Sequence, residues 1–144
     1  MVALEIQTEI DNLIEEFDLL GDWEERYRYL IDLGNELPEL PDDERVDANK
    51  VKGCVSQVWL ISEAGEDNRL IFRATSDAHI VRGLAALLVR LYSGRKAADI
   101  LTVDARDVLA SIGLAEHLSP QRSNGLSSMI GRIKTAASAA TGAN

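Results

Sequence analysis

The chain has 144 residues, 46% of them hydrophobic and 27% charged, and carries a formal net charge of −9. That length and apolar content fit one globular domain, residues 1–144, and no run approaches the roughly 20 apolar residues of a membrane span. An acidic surface repels phosphate backbones, and no lysine or arginine stripe offsets it, which excludes nucleic acid and membrane as expected partners. The opening residues Met1 to Glu5 lack the basic and apolar regions of a signal peptide, so a cytoplasmic address is expected.

Ile6, Ile10, Leu13, Ile14 and Phe17 recur at helical spacing and predict an amphipathic first helix. Asp22 with Glu25 three residues later forms a capping-box pattern for a second helix, with Trp23, Tyr27, Leu30 and Ile31 as its expected buried face. Pro38 and Pro41 end helical structure and open a loop. Val55 to Ser62 and Arg69 to Thr75 have strand character, joined by a hairpin connection from Glu63 to Asn68.

Ser76-Asp77 is a helix-start signal for Ala78 to Tyr92, which carries the apolar stripe Ile80, Val81, Leu84, Leu87, Leu88 and Leu91. Gly94 stands where a helix C-terminal glycine belongs. Two short helical pieces follow, at Ala97 to Leu101 and at Ala105 to Ile112, the second with Asp104 as its cap. Ser119-Pro120 then reads as a cap and a first-position proline for a last helix reaching about Ala140. This helix buries Leu126, Met129, Ile130 and Ile133, and residues 138–144 are expected to fray. Helices around a small antiparallel sheet make the class α+β.

Cys54 is the chain's single cysteine, in Lys50-Val51-Lys52-Gly53-Cys54-Val55-Ser56-Gln57-Val58-Trp59. One cysteine excludes an intramolecular disulfide and a multi-thiolate metal site, and His79 and His117 have no paired spacing, so neither metal nor cofactor is expected. Gly53 permits a turn that presents the sulfur at a loop tip, and Lys50 and Lys52 would favour thiolate, the nucleophilic form. From spacing alone a second reading stands beside this one, a buried thiol acting as a small hydrophobe.

Two further positions run against local helix preference. Gly125 falls inside the last helix, where it costs about 1 kcal/mol relative to alanine and suggests close packing against another element. Arg122 is a poor complement to the positive end of that helix, though an exposed arginine and a packing glycine also account for the pair. Capping accounts for Ser76 or Asp77 without catalysis, and no glycine-rich phosphate loop occurs.

Taken in order, three segments resemble the SufE family of sulfur acceptors: Asn49 to Trp59 with its Gly-Cys-x-Ser-x-Val-Trp motif, Ser76-Asp77-Ala78 followed by Ile80-Val81-x-Gly83-Leu84, and His117-Leu118-Ser119-Pro120-x-Arg122-Ser123-x-Gly125-Leu126. The likeness begins at Asp22-Trp23-x-x-Arg26-Tyr27 with Gly34 downstream, and ends in the last helix. Val55 departs from it, since many members carry a polar residue directly after the cysteine. The resemblance implies that Cys54 carries a persulfide on a loop, and beside it Gly53, Asp77 and Arg122 are candidate positioning or partner-binding residues. It implies a pyridoxal-phosphate cysteine desulfurase partner, SufS-like or CsdA-like, and a downstream iron–sulfur scaffold. The SufE and CsdE branches are not separated by these residues.

Overall fold

A computed structural model describes residues 4–141. Helix α1 (Leu4–Asp18) buries Ile6, Leu13 and Phe17, with Ile10 and Ile14 half-buried beside them, as the periodicity predicts. Helix α2 (Trp23–Asn35) starts at Asp22, whose side chain accepts from Glu25 N at 2.9 Å. Glu25 returns the contact to Gly21 N rather than to the cap itself. Its buried face is Leu30 and Gly34, flanked by Trp23, Tyr27, Tyr29 and Leu33. Ile31 is half-buried but outside this cluster, because the α2 surface meeting the core is rotated toward the glycine.

Strands β1 (Val58–Ala64) and β2 (Arg69–Ser76) form an antiparallel hairpin in which Val58 faces Ser76 and Ala64 faces Leu70. β1 begins three residues later than Val55, since the residues around the cysteine are drawn into the preceding loop. Buried Val58, Leu60, Leu70, Phe72 and Ala74 put one face of the hairpin on the core. The other face carries Trp59 opposite Thr75 and Ile61 opposite Arg73. Arg73 reaches Glu44 with Nη1–Oε1 2.7 Å and Nη2–Oε2 2.5 Å, and also Glu63, so the segment after α2 is strapped to this outer face.

Helix α3 (His79–Tyr92) is the central element, packed on β2, α2, α1 and the last helix. Its approach to α2 is set by two glycines. A Cβ at Gly83 would lie 2.7 Å from Leu30 Cγ and 2.8 Å from Leu30 C, and one at Gly34 would lie 2.8 Å from Gly83 N. Gly94, at φ +80°, ends the helix and donates its N–H to Leu70 O at 2.7 Å.

A third strand, β3 (Arg95–Lys96), pairs with the start of β2; two residues are too few to show periodicity in the sequence. Helices α4 (Ala97–Ile100) and α5 (Ala105–Ser111) follow, α5 with Asp104 accepting from Arg106 N. Buried Tyr92 ties this region together, donating to Val103 O at 2.7 Å and accepting from Ala105 N at 2.9 Å. A single 3-10 turn at Ala115–His117 leads to α6 (Pro120–Thr141), which buries Gly125, Leu126, Met129, Ile130, Ile133 and Ala137. Of the tail expected to fray, residues 138–141 are helical and 142–144 lie outside the described residues.

Candidate functional site

Cys54 sits in a loop whose two ends are pinned. At the start, Val51 N donates to Val58 O at 2.8 Å and Lys50 bridges to Trp59. Arg132 of α6 donates to Lys50 O at 2.9 Å and Ala48 O at 3.0 Å, fixing the same end to the long helix. At the far end the backbone of Gln57 is held from both sides. Its N–H donates to Asp77 Oδ1 at 3.0 Å, while its carbonyl accepts from Ser76 Oγ at 2.7 Å and Asp77 N at 3.2 Å.

This reassigns the Ser76-Asp77 signal. The N-cap of α3 is Ala78, with no side-chain cap. Ser76 Oγ also accepts from Ala78 N at 3.2 Å, so it closes a local turn, and the Asp77 carboxylate is taken by the cysteine loop instead of the helix. The sequence pattern is right about where the helix begins and wrong about what Asp77 serves.

Within the loop, Gly53 has φ +88°, and a Cβ there would lie 2.7 Å from Ser128 Oγ, so both conformation and space call for glycine. The turn lays Cys54 against α6. Its thiol donates to Gly125 O at 3.7 Å, and a Cβ on Gly125 would stand 3.4 Å from Sγ. The close packing read from Gly125 is therefore packing against the cysteine. Cys54 is half-buried, whereas its neighbour Val55 is 81% exposed. A small cavity of about 30 Å³ adjoins the sulfur, lined among others by Val81, Gln121 and Arg122.

The electrostatics correct one expectation. Burial pushes the Cys54 thiol pKa up, and neither Lys50 nor Lys52 offsets it. Burial disfavours the charged thiolate, so this arrangement favours the neutral thiol. Arg122 stands exposed in the first turn of α6, where its N–H donates to Ser119 Oγ at 3.3 Å, which supports Ser119 as the cap. Its guanidinium makes no ion pair or hydrogen bond among the described residues. Gly53, Cys54 and Arg122 thus gather at one place, with Asp77 at the loop's downstream anchor.

A family model, the SufE Fe–S metabolism associated domain, matches residues 11–137. The chain belongs to the SufE family. An uncharacterized SufE-like protein of Rhizobium meliloti (strain 1021) is 53% identical over 133 residues, covering 90% of this chain and 95% of the relative. Another, from Rhizobium etli, is 50% identical over 128 residues, covering 87% and 86%. The fold is shared with a hypothetical protein from Thermus thermophilus, whose solution structure has a TM-score of 0.77 at 22% identity over 99% of each chain. SufE membership places the protein in iron–sulfur metabolism and sulfur transfer.

Several site residues escape sequence reasoning. Arg132 and Ser128 reach the loop from a distant part of the chain, and nothing local marks them. Gln57 acts through its backbone, which no side-chain pattern reveals. Among the described residues no group of three or more His, Cys, Asp or Glu is placed to hold a metal, and no helix is long and apolar enough to cross a membrane. His117 stacks on Trp23 with ring centroids 3.6 Å apart.

Proposed function

We propose that this SufE-family protein accepts sulfur from a pyridoxal-phosphate cysteine desulfurase as a persulfide on Cys54 and passes it toward an iron–sulfur scaffold. The observation that carries this reading is the placement of the chain's single cysteine on a short loop pinned at both ends, with its sulfur seated on α6 only by packing and a long S–H···O contact.

In the transfer, the Cys54 thiolate attacks the outer sulfur of the partner's persulfide. A new S–S bond forms on Cys54, the bond within the partner's persulfide breaks, and the partner's cysteine leaves as thiolate. The exchange balances without an added oxidant, and its rate follows thiolate fraction and access. Both are low in the seated arrangement, which protects the sulfur from oxidation. Docking of the partner therefore lifts the 52–56 segment off Gly125 and exposes a sulfur free to ionise. Arg122, whose guanidinium has no partner among the described residues, is available to carboxylates of the desulfurase.

Intact-mass measurement after incubation with a desulfurase and free cysteine tests this. One added sulfur atom is expected, removable by reductant and absent in Cys54→Ser. The half-buried seat of the thiol against Gly125 favours a second reading, an adaptor that stimulates the desulfurase by binding alone. In that case Cys54→Ser retains full stimulation and no sulfur is gained.

A further inference from the structure

A cavity of about 450 Å³ lies where Trp59 and Thr75 stand opposite one another on the outer face of the hairpin. It shares no lining residue with the small cavity at Cys54. The first turn of α3 adds His79 and Arg82, and the segment after α2 adds Glu39 and Leu40.

Two charged groups on this wall are unmatched. Arg82 forms no salt bridge among the described residues. Its Nη2 donates to Asn35 Oδ1 at 2.8 Å and meets His79 Nδ1 at 3.1 Å, while its Nε is buried without a partner. Glu39 makes no ion pair or side-chain hydrogen bond among the described residues. The first turn of α3 has neither an acidic residue nor a side-chain cap, and the positive end of its dipole faces this wall. Asp77 brings a second carboxylate, already holding Gln57 N, and Arg45 borders the cavity paired with Asp42.

The wall thus offers both signs of charge. A bare carboxylate entering it gains from Arg82 and the helix end but meets Glu39 and Asp77. A bare amine meets the reverse. A molecule carrying both charges close together satisfies both sets, and Leu40 and Trp59 provide an apolar surface for a small side chain. The volume falls within the roughly 300–1,000 Å³ of small-molecule sites. We propose that this cavity binds a small neutral α-amino acid as its zwitterion, the carboxylate on Arg82 and the first turn of α3, the ammonium on Glu39 and Asp77.

Titration of the full chain with L-alanine, followed by backbone amide chemical shifts, tests the site, with propionate and ethylamine as probes bearing one charge each. Saturable shifts are expected around residues 57–59 and 75–82. Binding should weaken about tenfold in Arg82→Gln and in Glu39→Gln, and by a similar factor for either single-charge probe. Glu39 is exposed and has no side-chain partner among the described residues, so Glu39→Gln keeps the test intact if Arg82→Gln, which also disturbs Asn35, unfolds. Absence of saturation by L-alanine, or undiminished binding in Glu39→Gln, overturns the proposal. Propionate binding as tightly as L-alanine also overturns it, leaving a plain anion site of the kind an acidic side chain of a partner would use.

Discussion

Two glycine contacts in this protein are alike in kind and opposite in consequence. At the α2–α3 crossing, Gly83 meets the backbone of Leu30, and Gly34 meets the backbone of Gly83. At the candidate site, Gly125 meets the sulfur of Cys54 at the end of a side chain on a loop. Backbone inside two packed helices has nowhere to go, so the first contact fixes the frame. A sulfur held at van der Waals distance on a loop can leave, so the second contact makes a seat. The presence of a buried glycine does not distinguish the two. What stands opposite it does.

The largest expected effect comes from Gly83→Ala, whose added methyl must displace Leu30 backbone. A destabilisation of about 3 kcal/mol is expected, read as a lower urea midpoint at unchanged slope. An unchanged midpoint would mean that the helices slide apart without cost, and the contrast would be lost.

Next is Asp77→Ala, which removes the acceptor of Gln57 N and with it about 1 kcal/mol of the loop's downstream anchor. Alkylation of Cys54 by iodoacetamide should quicken about fivefold, and Asp77→Asn, which keeps an acceptor oxygen, should restore most of the protection. Equal alkylation rates in all three proteins would show that this anchor does not govern the loop.

The pH profile of that alkylation sharpens the picture. Because burial raises the thiol pKa, the rate at neutral pH should fall below that of an unfolded cysteine, with a midpoint above the usual value of about 8.5. The sign for stability follows. A folded pKa above the unfolded one favours the seated loop below the unfolded value, and that contribution disappears as pH rises through the folded value. A midpoint at or below the unfolded value would show that the thiol is not seated as described.

The smallest effect belongs to Gly125→Ala. Its methyl would only touch Sγ, at 3.4 Å, and alanine's better helix propensity of about 1 kcal/mol offsets the contact. Stability should stay within about 1 kcal/mol of the parent by urea unfolding. A loss as large as that of Gly83→Ala would erase the distinction between frame and seat.

Elements with a clear local signal were legible: the stripe of α1, the strand character of β2, and the Ser119-Pro120 start of α6. The sulfur site was legible as a motif and in the misplaced glycine at 125. What was hidden depends on contacts far apart in sequence. Asp77 looks like a cap because capping is local, while its actual partner is the backbone of Gln57, twenty residues upstream. Lys50 and Lys52 look activating because they flank the cysteine, yet α6 supplies the burial that sets the thiol's state. β1 begins at Val58 because the chain must first turn at Gly53, and β-propensity alone does not register that turn.

The clamps at Val51 and Gln57 also set a length. Six Cα–Cα steps of 3.80 Å separate these two residues, about 23 Å of contour at most. With both ends fixed side by side, the tip of such a tether rises no more than about half that distance from its base. The Cα of Cys54 therefore stays within about 11 Å of the clamps, and a donor sulfur recessed well beyond that depth plus the length of one cysteine side chain is out of range, unless the donor carries it outward on a mobile arm of its own.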